Sequence, residues 1–505
     1  MGQKLVRTEI RKGLRAYDEH RYDEAVQTWQ TVLARVKDDS KKFEILGYLL
    51  RAHEDAGRLK QMLLNSVAQL NLITARYQAK QKKRKDRKDR KDRKVSNKSN
   101  NNKRVKKESK KTRKTNEFYW KHLSVAYLNL ARSNVKLCEY HKAICYSHHC
   151  IQTEMLLNGN GSSDLTTLPR HYSPLAVTLS PVASISHLPL HGYAYLTQAQ
   201  AYVGLGEFPK ALQHYDVALE VANARCDSIL AMLVCIGYGD MFLSLGDTFS
   251  ALGWYKRAYG HLKTPKISET RSGPQLCPVT PAASRYQRLL NQRVSDCNRK
   301  MGRTVEAMET CEEAMRLALK HSDRLLQGKC LITFAKIHNS NNDIDRSVPR
   351  FECALSILSE IGFRSGEAEA FQGLADTAAS QRNFRSAIEF NLKALNTSRA
   401  IGSKLIMLKC HENLKGLFGW LNEKDKSALH DRYAQQLILE MDLRCDVCGE
   451  TIGNVRARLD HLSCGHIIHN RCASHLSRST LGRSNRKRPC PSCRRKSFLD
   501  PLCYA

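Results

Sequence analysis

AQAYVGLGEFPKALQHYDVALE, Ala199 to Glu220, is the stretch that decides the fold. Small and aromatic residues recur in it at helical spacing on either side of Gly206: Ala199 and Tyr202 before it, then Phe208, Ala211, Tyr215 and Ala218. That pattern is a helix, a glycine turn and a second helix, because small residues let paired helices approach while aromatic residues fill the space between successive pairs. Glycine ends the first helix, since it takes the left-handed backbone without penalty. The same offsets return around Ala251, as Gly239, Phe242, Gly246, Tyr255 and Ala258. They recur more weakly as Gly302, Ala307 and Ala314; as Ala335, Phe351 and Ala354; and as Ala375, Phe384, Ala387 and Ala394.

A helical pair that repeats in this way matches the tetratricopeptide pattern. The equivalent positions Ala307, Ser347 and Ala387 lie 40 residues apart, as do Ala211 and Ala251, whereas the usual repeat is about 34 residues long. Six added residues lengthen the helices of a repeat by about 9 Å in total. Further repeats fit around Gly13, Ala25 and Trp29, at Gly47 to Leu64, and at YLNLARSNVKLCEYHKAICY from Tyr127. The fold expected is therefore mostly α: N-terminal repeats over 1–78, a basic disordered insert over 79–116, and a repeat over 117–155. A second disordered insert follows over 156–190, then repeats over 191–263, a loop insert over 264–284 and repeats over 285–403. Residues 404–443 read as a helical or coiled-coil linker, or as a helix capping the array; 445–493 form a zinc module and 494–505 a tail. The repeated Tyr, Phe and Ala side chains are core, so the array holds no catalytic site.

The 505 residues carry a formal charge of +33, unevenly placed. From Arg76 to Lys114 there are 21 Lys or Arg against four acids, a net +17. Such a run is read first as a solvated, charged loop, and next as a membrane-surface contact. Nucleic-acid binding is disfavoured, because no aromatic residue interleaves the run between Tyr77 and Phe118 to stack on bases. The eighteen cysteines are spread along a long chain with no apolar leader at its start, which points to a reducing compartment with thiols free or on metal. No run approaches eighteen apolar residues, so no membrane span is expected.

The densest chemistry lies near the C-terminus, where Cys and His fall in four close pairs: Cys445 and Cys448, Cys464 and His466, His469 and Cys472, Cys490 and Cys493. One tight turn presents two such donors to a single ion, and thiolate with imidazole suits zinc. Eight donors imply two closed tetrahedral sites with no open position for water, which disfavours zinc-hydroxide chemistry. Spacing alone leaves sequential pairing and interleaved pairing both open. His461 and His475 fall outside the spacing and read as surface residues.

This spacing resembles the RING-H2 modules, whose ligand pairs alternate between ions. The resemblance implies Cys445, Cys448, His469 and Cys472 on a first zinc and Cys464, His466, Cys490 and Cys493 on a second. It also implies a ubiquitin-conjugating enzyme as partner, with Val447, Pro491 and Arg494 at contact positions. The tryptophan common after the sixth ligand in such modules is missing from Ala473 to Arg488.

The repeat array, the helical link and the terminal module together resemble the rapsyn family. The likeness is carried by MGQ at the start, YLNLARSNVKLCE from Tyr127, AMETCEEAMRLALKHSDR from Ala307, and CDVCGETIG, LSCGHIIHNRC and CPSCRR in the module. It implies a peripheral scaffold on the cytoplasmic face of the postsynaptic plasma membrane. Such a scaffold clusters nicotinic acetylcholine receptors through their cytoplasmic loops, self-associates and touches cytoskeletal linkers. It further implies myristoylation of Gly2, although Val6 stands where the acceptor pattern wants Ser or Thr. Lys4, Arg7, Arg11 and Lys12 would add the electrostatic attraction that one acyl chain needs for membrane binding. The alternative, from the enzyme class, is a cytosolic RING-type E3 ubiquitin ligase whose array selects substrates.

Overall fold

The computed structural model describes residues 3–92, 102–158, 190–263, 283–453, 457–462 and 464–473, with Cys490 and Cys493. Its described helices are α1 (Gln3–Asp18), α2 (Tyr22–Arg35), α3 (Asp39–Asp55), α4 (Leu59–Asp92), α5 (Asn102–Lys136) and α6 (Tyr140–Asn158). After 159–189, which lie outside the described residues, come α7 (His191–Leu205), α8 (Phe208–Ala224), α9 (Ser228–Ser244) and α10 (Thr248–Lys263). The array continues as α11 (Ala283–Lys300), α12 (Thr304–Lys320), α13 (Arg324–Ser340), α14 (Ile344–Ile361), α15 (Arg364–Ser380), α16 (Phe384–Ile401), α17 (Lys404–Trp420) and α18 (Lys424–Glu440). Each odd helix pairs with the even helix that follows. None of them is long and apolar enough to cross a membrane.

The turns explain the period. Gly206, Gly246 and Gly302 end their helices with φ of 81°, 86° and 80°. Forty residues on from Gly302 the left-handed residue is Asn342, then Arg382, then Asn422, at φ 58°, 58° and 57°. A second series closes the hairpins at Ser322, Gly362, Gly402 and Asp442, again 40 residues apart. Side-chain caps start several of the helices: Asp227 accepts from the Leu230 amide at 2.9 Å and Asp323 from Leu326 at 3.1 Å, each such cap contributing about 1 kcal/mol.

Residues 404–443, read as a helical linker or as a helix capping the array, form two helices that carry on the array. Asn422 and Asp442 keep the left-handed phase. Ser427 donates to the Lys415 carbonyl at 3.0 Å, as Ser347 donates to the Ala335 carbonyl at 3.0 Å, 80 residues earlier. Segment and array therefore share one packing geometry. The basic insert differs from its disordered reading: backbone helix runs to Asp92 and resumes at Asn102. Lys and Arg are good helix formers, and the two helices are clamped at their base by Tyr77 stacked on Tyr119 with centroids 3.9 Å apart. The remaining inserts fall largely on 159–189 and 264–282, outside the described residues.

Packing within a hairpin follows the small-to-aromatic rule. Gly13 faces Trp29, and Gly239 faces Tyr255, both 16 residues on; a Cβ at either glycine would lie 2.3 or 2.4 Å from the ring. Phe208 and Phe351 are fully buried between neighbouring pairs, each burial stabilising by about 1.5–3 kcal/mol.

The array also coils back on itself. The Arg324 amide donates to the Ala56 carbonyl at 3.3 Å, Lys60 Nζ donates to the Glu360 carbonyl at 3.0 Å, and His20 and His321 meet edge-to-face at 3.9 Å. Near these contacts Arg51, Arg132 and Arg285 surround the buried carboxylates of Glu54 and Asp55. Turns of the second half thus rest on turns of the first.

Candidate metal centre

The C-terminal module begins where α18 ends. The Ile452 amide donates to the Leu443 carbonyl at 2.9 Å, and Arg444 bridges Thr451, which folds the segment between them into a loop. Inside that loop Gly449 donates to the Cys445 carbonyl at 2.7 Å with φ 74°, so Cys445 and Cys448 project from one tight turn. Strands β1 (Leu459–His461) and β2 (Ile467–His469) pair antiparallel, Leu459 opposite His469 and His461 opposite Ile467. Their connection carries Cys464 and His466 around Gly465, whose φ is 85°.

The fold interleaves the pairs. Ligand atoms of Cys445, Cys448, His469 and Cys472 lie within 4.8 Å of one another, and so do those of Cys464, His466, Cys490 and Cys493. Both histidines present Nδ1: Cys448 Sγ is 3.3 Å from His469 Nδ1, and His466 Nδ1 lies 3.3 Å from Cys464 Sγ and 3.6 Å from Cys493 Sγ. With metal–sulfur and metal–nitrogen bonds of about 2.3 and 2.0–2.1 Å, a tetrahedral S–N edge is about 3.6 Å. Each group could hold a metal ion.

The electrostatics of the donors fit a cation. Burial raises Cys445, but the backbone N–H groups of His469, Cys448 and Val447 outweigh it and bring the thiol below its ordinary value. Burial, then the neighbouring Cys448 and Cys445, push Cys472 up to about 12. Burial with Cys464 and Cys490 does the same to Cys493. A set of thiols that cannot all ionise beside one another is what a dication relieves. Burial, then Arg471, holds His469 below the usual imidazole range, in the neutral form a metal binds.

Sequence reasoning missed where the module sits. It shares the largest apolar core among the described residues with α7 to α10, through Leu443, Ile452, Leu459, Leu462, Ile467 and Ile468. Gln213 donates to the Cys464 carbonyl at 2.7 Å, and the Leu459 amide donates to Asp247 at 2.7 Å. The Gly465 Cα packs so close to Pro209 that a Cβ would lie 2.2 Å from its carbonyl oxygen. His461 is thus an interface residue and not a surface one: it faces Asp216 at 3.7 Å and lies against the Tyr238 ring at 6.0 Å. Gln213 and Asp247 gave no signal, because polar residues at those positions read as solvated surface.

Val447 is partly exposed between the first two donors. Pro491, Arg494, His475 and Gly2 lie outside the described residues.

A coiled array of tetratricopeptide-type helical pairs with a terminal module able to hold two metal ions defines a helical-repeat protein with a Cys/His metal-binding domain. A profile for the rapsyn N-terminal myristoylation and linker region matches residues 1–78. The chain is 30% identical over 497 residues to the 43 kDa receptor-associated protein of the synapse of Gallus gallus, and 28% identical over 497 residues to that of Tetronarce californica; each alignment covers 98% of both chains. The protein belongs to the rapsyn family. Among solved structures, a Rap protein complexed with competence and sporulation factor superposes with a TM-score of 0.49 at 9% identity, covering 87% of this chain and 99% of the other.

Proposed function

We propose that this protein is a peripheral scaffold of the postsynaptic membrane that clusters nicotinic acetylcholine receptors through their cytoplasmic loops and links them to the cytoskeleton. The observation that carries this reading is the end-to-end match, over 98% of both chains, to two proteins named as receptor-associated at the synapse. An array with many interhelical faces suits the gathering of partners. The helical pair α17 and α18 leaves Trp420 78% exposed, with Leu429 and Tyr433 also outward, and such apolar surface is the receptor-loop contact in this reading. Two zinc ions, one on Cys445, Cys448, His469 and Cys472 and one on Cys464, His466, Cys490 and Cys493, hold the terminal module closed. Myristoylated Gly2 and the basic residues after it anchor the chain to the cytoplasmic leaflet, and array surfaces supply self-association.

Co-expression with a nicotinic receptor tests the scaffold. Surface receptors should gather into clusters with the full chain and stay dispersed when the repeats are removed; dispersed receptors in both cases would refute it.

One observation favours a second activity. With the module docked, Val447 remains accessible, as a contact for a ubiquitin-conjugating enzyme must be. Under this reading Val447 and Pro491 bind that enzyme and Arg494 steadies the ubiquitin thioester. Ubiquitin transfer in vitro should fall sharply with Arg494→Ala, and a full-length protein that transfers nothing would leave the scaffold alone.

A further inference from the structure

The basic run leaves the array at one end. The turns at His20 and Ala56 form the seam with His321 and Arg324. At the opposite end lie the start of α1, the end of α2 and the start of α3: Arg35 Nη1 meets Glu9 Oε1 at 3.2 Å, and Arg76 Nε on α4 meets Asp39 Oδ2 at 4.0 Å. Arg76 is thus level with the first turn of α3, yet the α4 backbone continues to Asp92, about 24 Å further. The α5 backbone begins at Asn102 and enters the array only where Tyr119 stacks on Tyr77 and His122 meets the Phe43 ring at 4.8 Å. Two helices therefore extend past the rim of the array as an arm, at the end where α1 begins with Gln3.

The arm carries a charge that its surroundings do not cancel. Residues 76–92 hold ten Lys or Arg against three acids, and 102–118 hold eight against two. Glu9 and Asp39, acids at that end of the array, are already engaged by Arg35 and Arg76. The arm extends well beyond the physiological screening length of about 8 Å, so charges elsewhere on the array do not offset it. Apolar residues are almost lacking: from Gln78 to Glu117 they are Ala79, Val95 and Val105. No apolar face is therefore encoded that could enter a bilayer or fill a groove on another protein. What lowers the energy of such a surplus is a dense anionic surface.

We propose that this arm binds the anionic headgroup surface of a membrane by electrostatics alone, as an attachment point separate from the start of α1. Placement favours a lipid surface, because the arm and α1, with its exposed Arg7, Arg11 and Lys12, share one end of the array, and a surface that meets one lies within reach of the other. Charge pattern favours it too. Asp86, Asp89 and Asp92 interrupt the cations of α4 at every third residue. Mobile headgroups can gather around the cations and avoid those acids, whereas the fixed phosphates of a nucleic acid cannot. No aromatic residue between Tyr77 and Phe118 offers a platform for bases. A second copy of a chain with charge +33 is equally ill suited. The arm supplies one electrostatic signal, which at physiological salt needs a second beside it. The inference does not depend on the receptor reading, and its test uses protein without an acyl chain.

The test uses the full zinc-loaded, unacylated chain and phosphatidylcholine vesicles with and without phosphatidylserine, with an oligothymidylate as the nucleic-acid control. At about 0.05 M salt the protein should sediment with the phosphatidylserine vesicles and not with phosphatidylcholine alone, and about 0.5 M salt should release it. Changing Lys82, Lys83, Lys85, Lys88 and Lys91 together to Gln should weaken binding at least tenfold, while Arg at the same five positions preserves it. Gln is a helix former comparable to Lys, so the backbone of the arm is kept, and zinc content checks the fold. Acetylation of the unaltered protein, read by mass spectrometry, supplies a second measurement: phosphatidylserine vesicles should shield the five arm lysines and leave Lys393, exposed on α16, open. Native binding by the glutamine variant, equal binding to phosphatidylcholine, no shielding, or an equal affinity for the oligonucleotide at the same salt would overturn the proposal.

Discussion

Asp247 joins the array to the metal module with a single carboxylate. One oxygen accepts the Ser250 amide at 2.9 Å, capping α10, and the other accepts the Leu459 amide of β1 at 2.7 Å. The side chain is almost wholly buried, so neither bond has water as a substitute. Asp247→Ala removes a cap of about 1 kcal/mol and a charge-assisted bond of about 1.5–3 kcal/mol. Chemical denaturation should show a loss of about 2–4 kcal/mol, with Asp247→Asn losing less because its amide oxygen still accepts one bond. An unshifted midpoint for the alanine variant would show that the module is not fastened there.

Metal removal should be felt in the array as well as in the module. The native chain is expected to release two zinc ions to a strong chelator, and Cys448→Ser or Cys464→Ser should each cost one ion, measured by elemental analysis. Because the module completes the core around α7 to α10, hydrogen exchange after chelation should quicken at 208–250 more than at 344–401. Uniform exchange in the two regions would argue against a shared core.

Acid should loosen the last hairpin. His411 and His430 meet Nδ1 to Nδ1 at 2.9 Å, an arrangement open to two neutral rings but not to two charged ones. Burial, then His430 and Arg399, hold His411 at about 4, below its ordinary 6.5. The unfolded chain therefore binds the proton first as pH falls. This contribution is intact above about pH 6.5 and drains away between 6.5 and 4. His53 and His214, each held at about 4 chiefly by burial, act in the same direction. Denaturation midpoints should fall across that window, and His411→Gln should make the fall shallower; a slope identical to that of the native protein would sink the assignment.

Membrane attachment should depend on Gly2. Gly2→Ala is expected to move the protein from the membrane to the soluble fraction, since in the proposed reading an acyl chain on that residue and the basic residues after it act together. Unchanged partitioning would mean that no myristoyl group operates.

What the sequence disclosed follows from how each feature is encoded. Gly206, Gly246 and Gly302 announce their turns, because glycine is favoured at positive φ, and the repeats between them were legible. Asn422 and Asp442 hold the same conformation without that signature, so the final hairpin read as a helical linker or a cap and not as a further repeat. The eight donors were legible as close pairs; their division into two groups, left open by spacing and implied by the RING-H2 resemblance, is set by the β-hairpin that brings His469 back to Cys448. The docking of the module was not legible, because its apolar contacts and the polar atoms of Gln213 and Asp247 that fix it meet partners more than 200 residues away. The helical backbone in the basic run was hidden by a charge pattern that also suits a solvated loop.

The seam where Ala56 receives Arg324 changes how the protein should fold. An open solenoid is nearly one-dimensional, and its terminal units can fray while the middle holds. Here the second hairpin and the seventh are neighbours in space, so loss of either withdraws support from the other. Such long-range closure raises contact order, slows folding and joins otherwise separate units into one cooperative transition. Damage at one repeat is then transmitted to the whole coil.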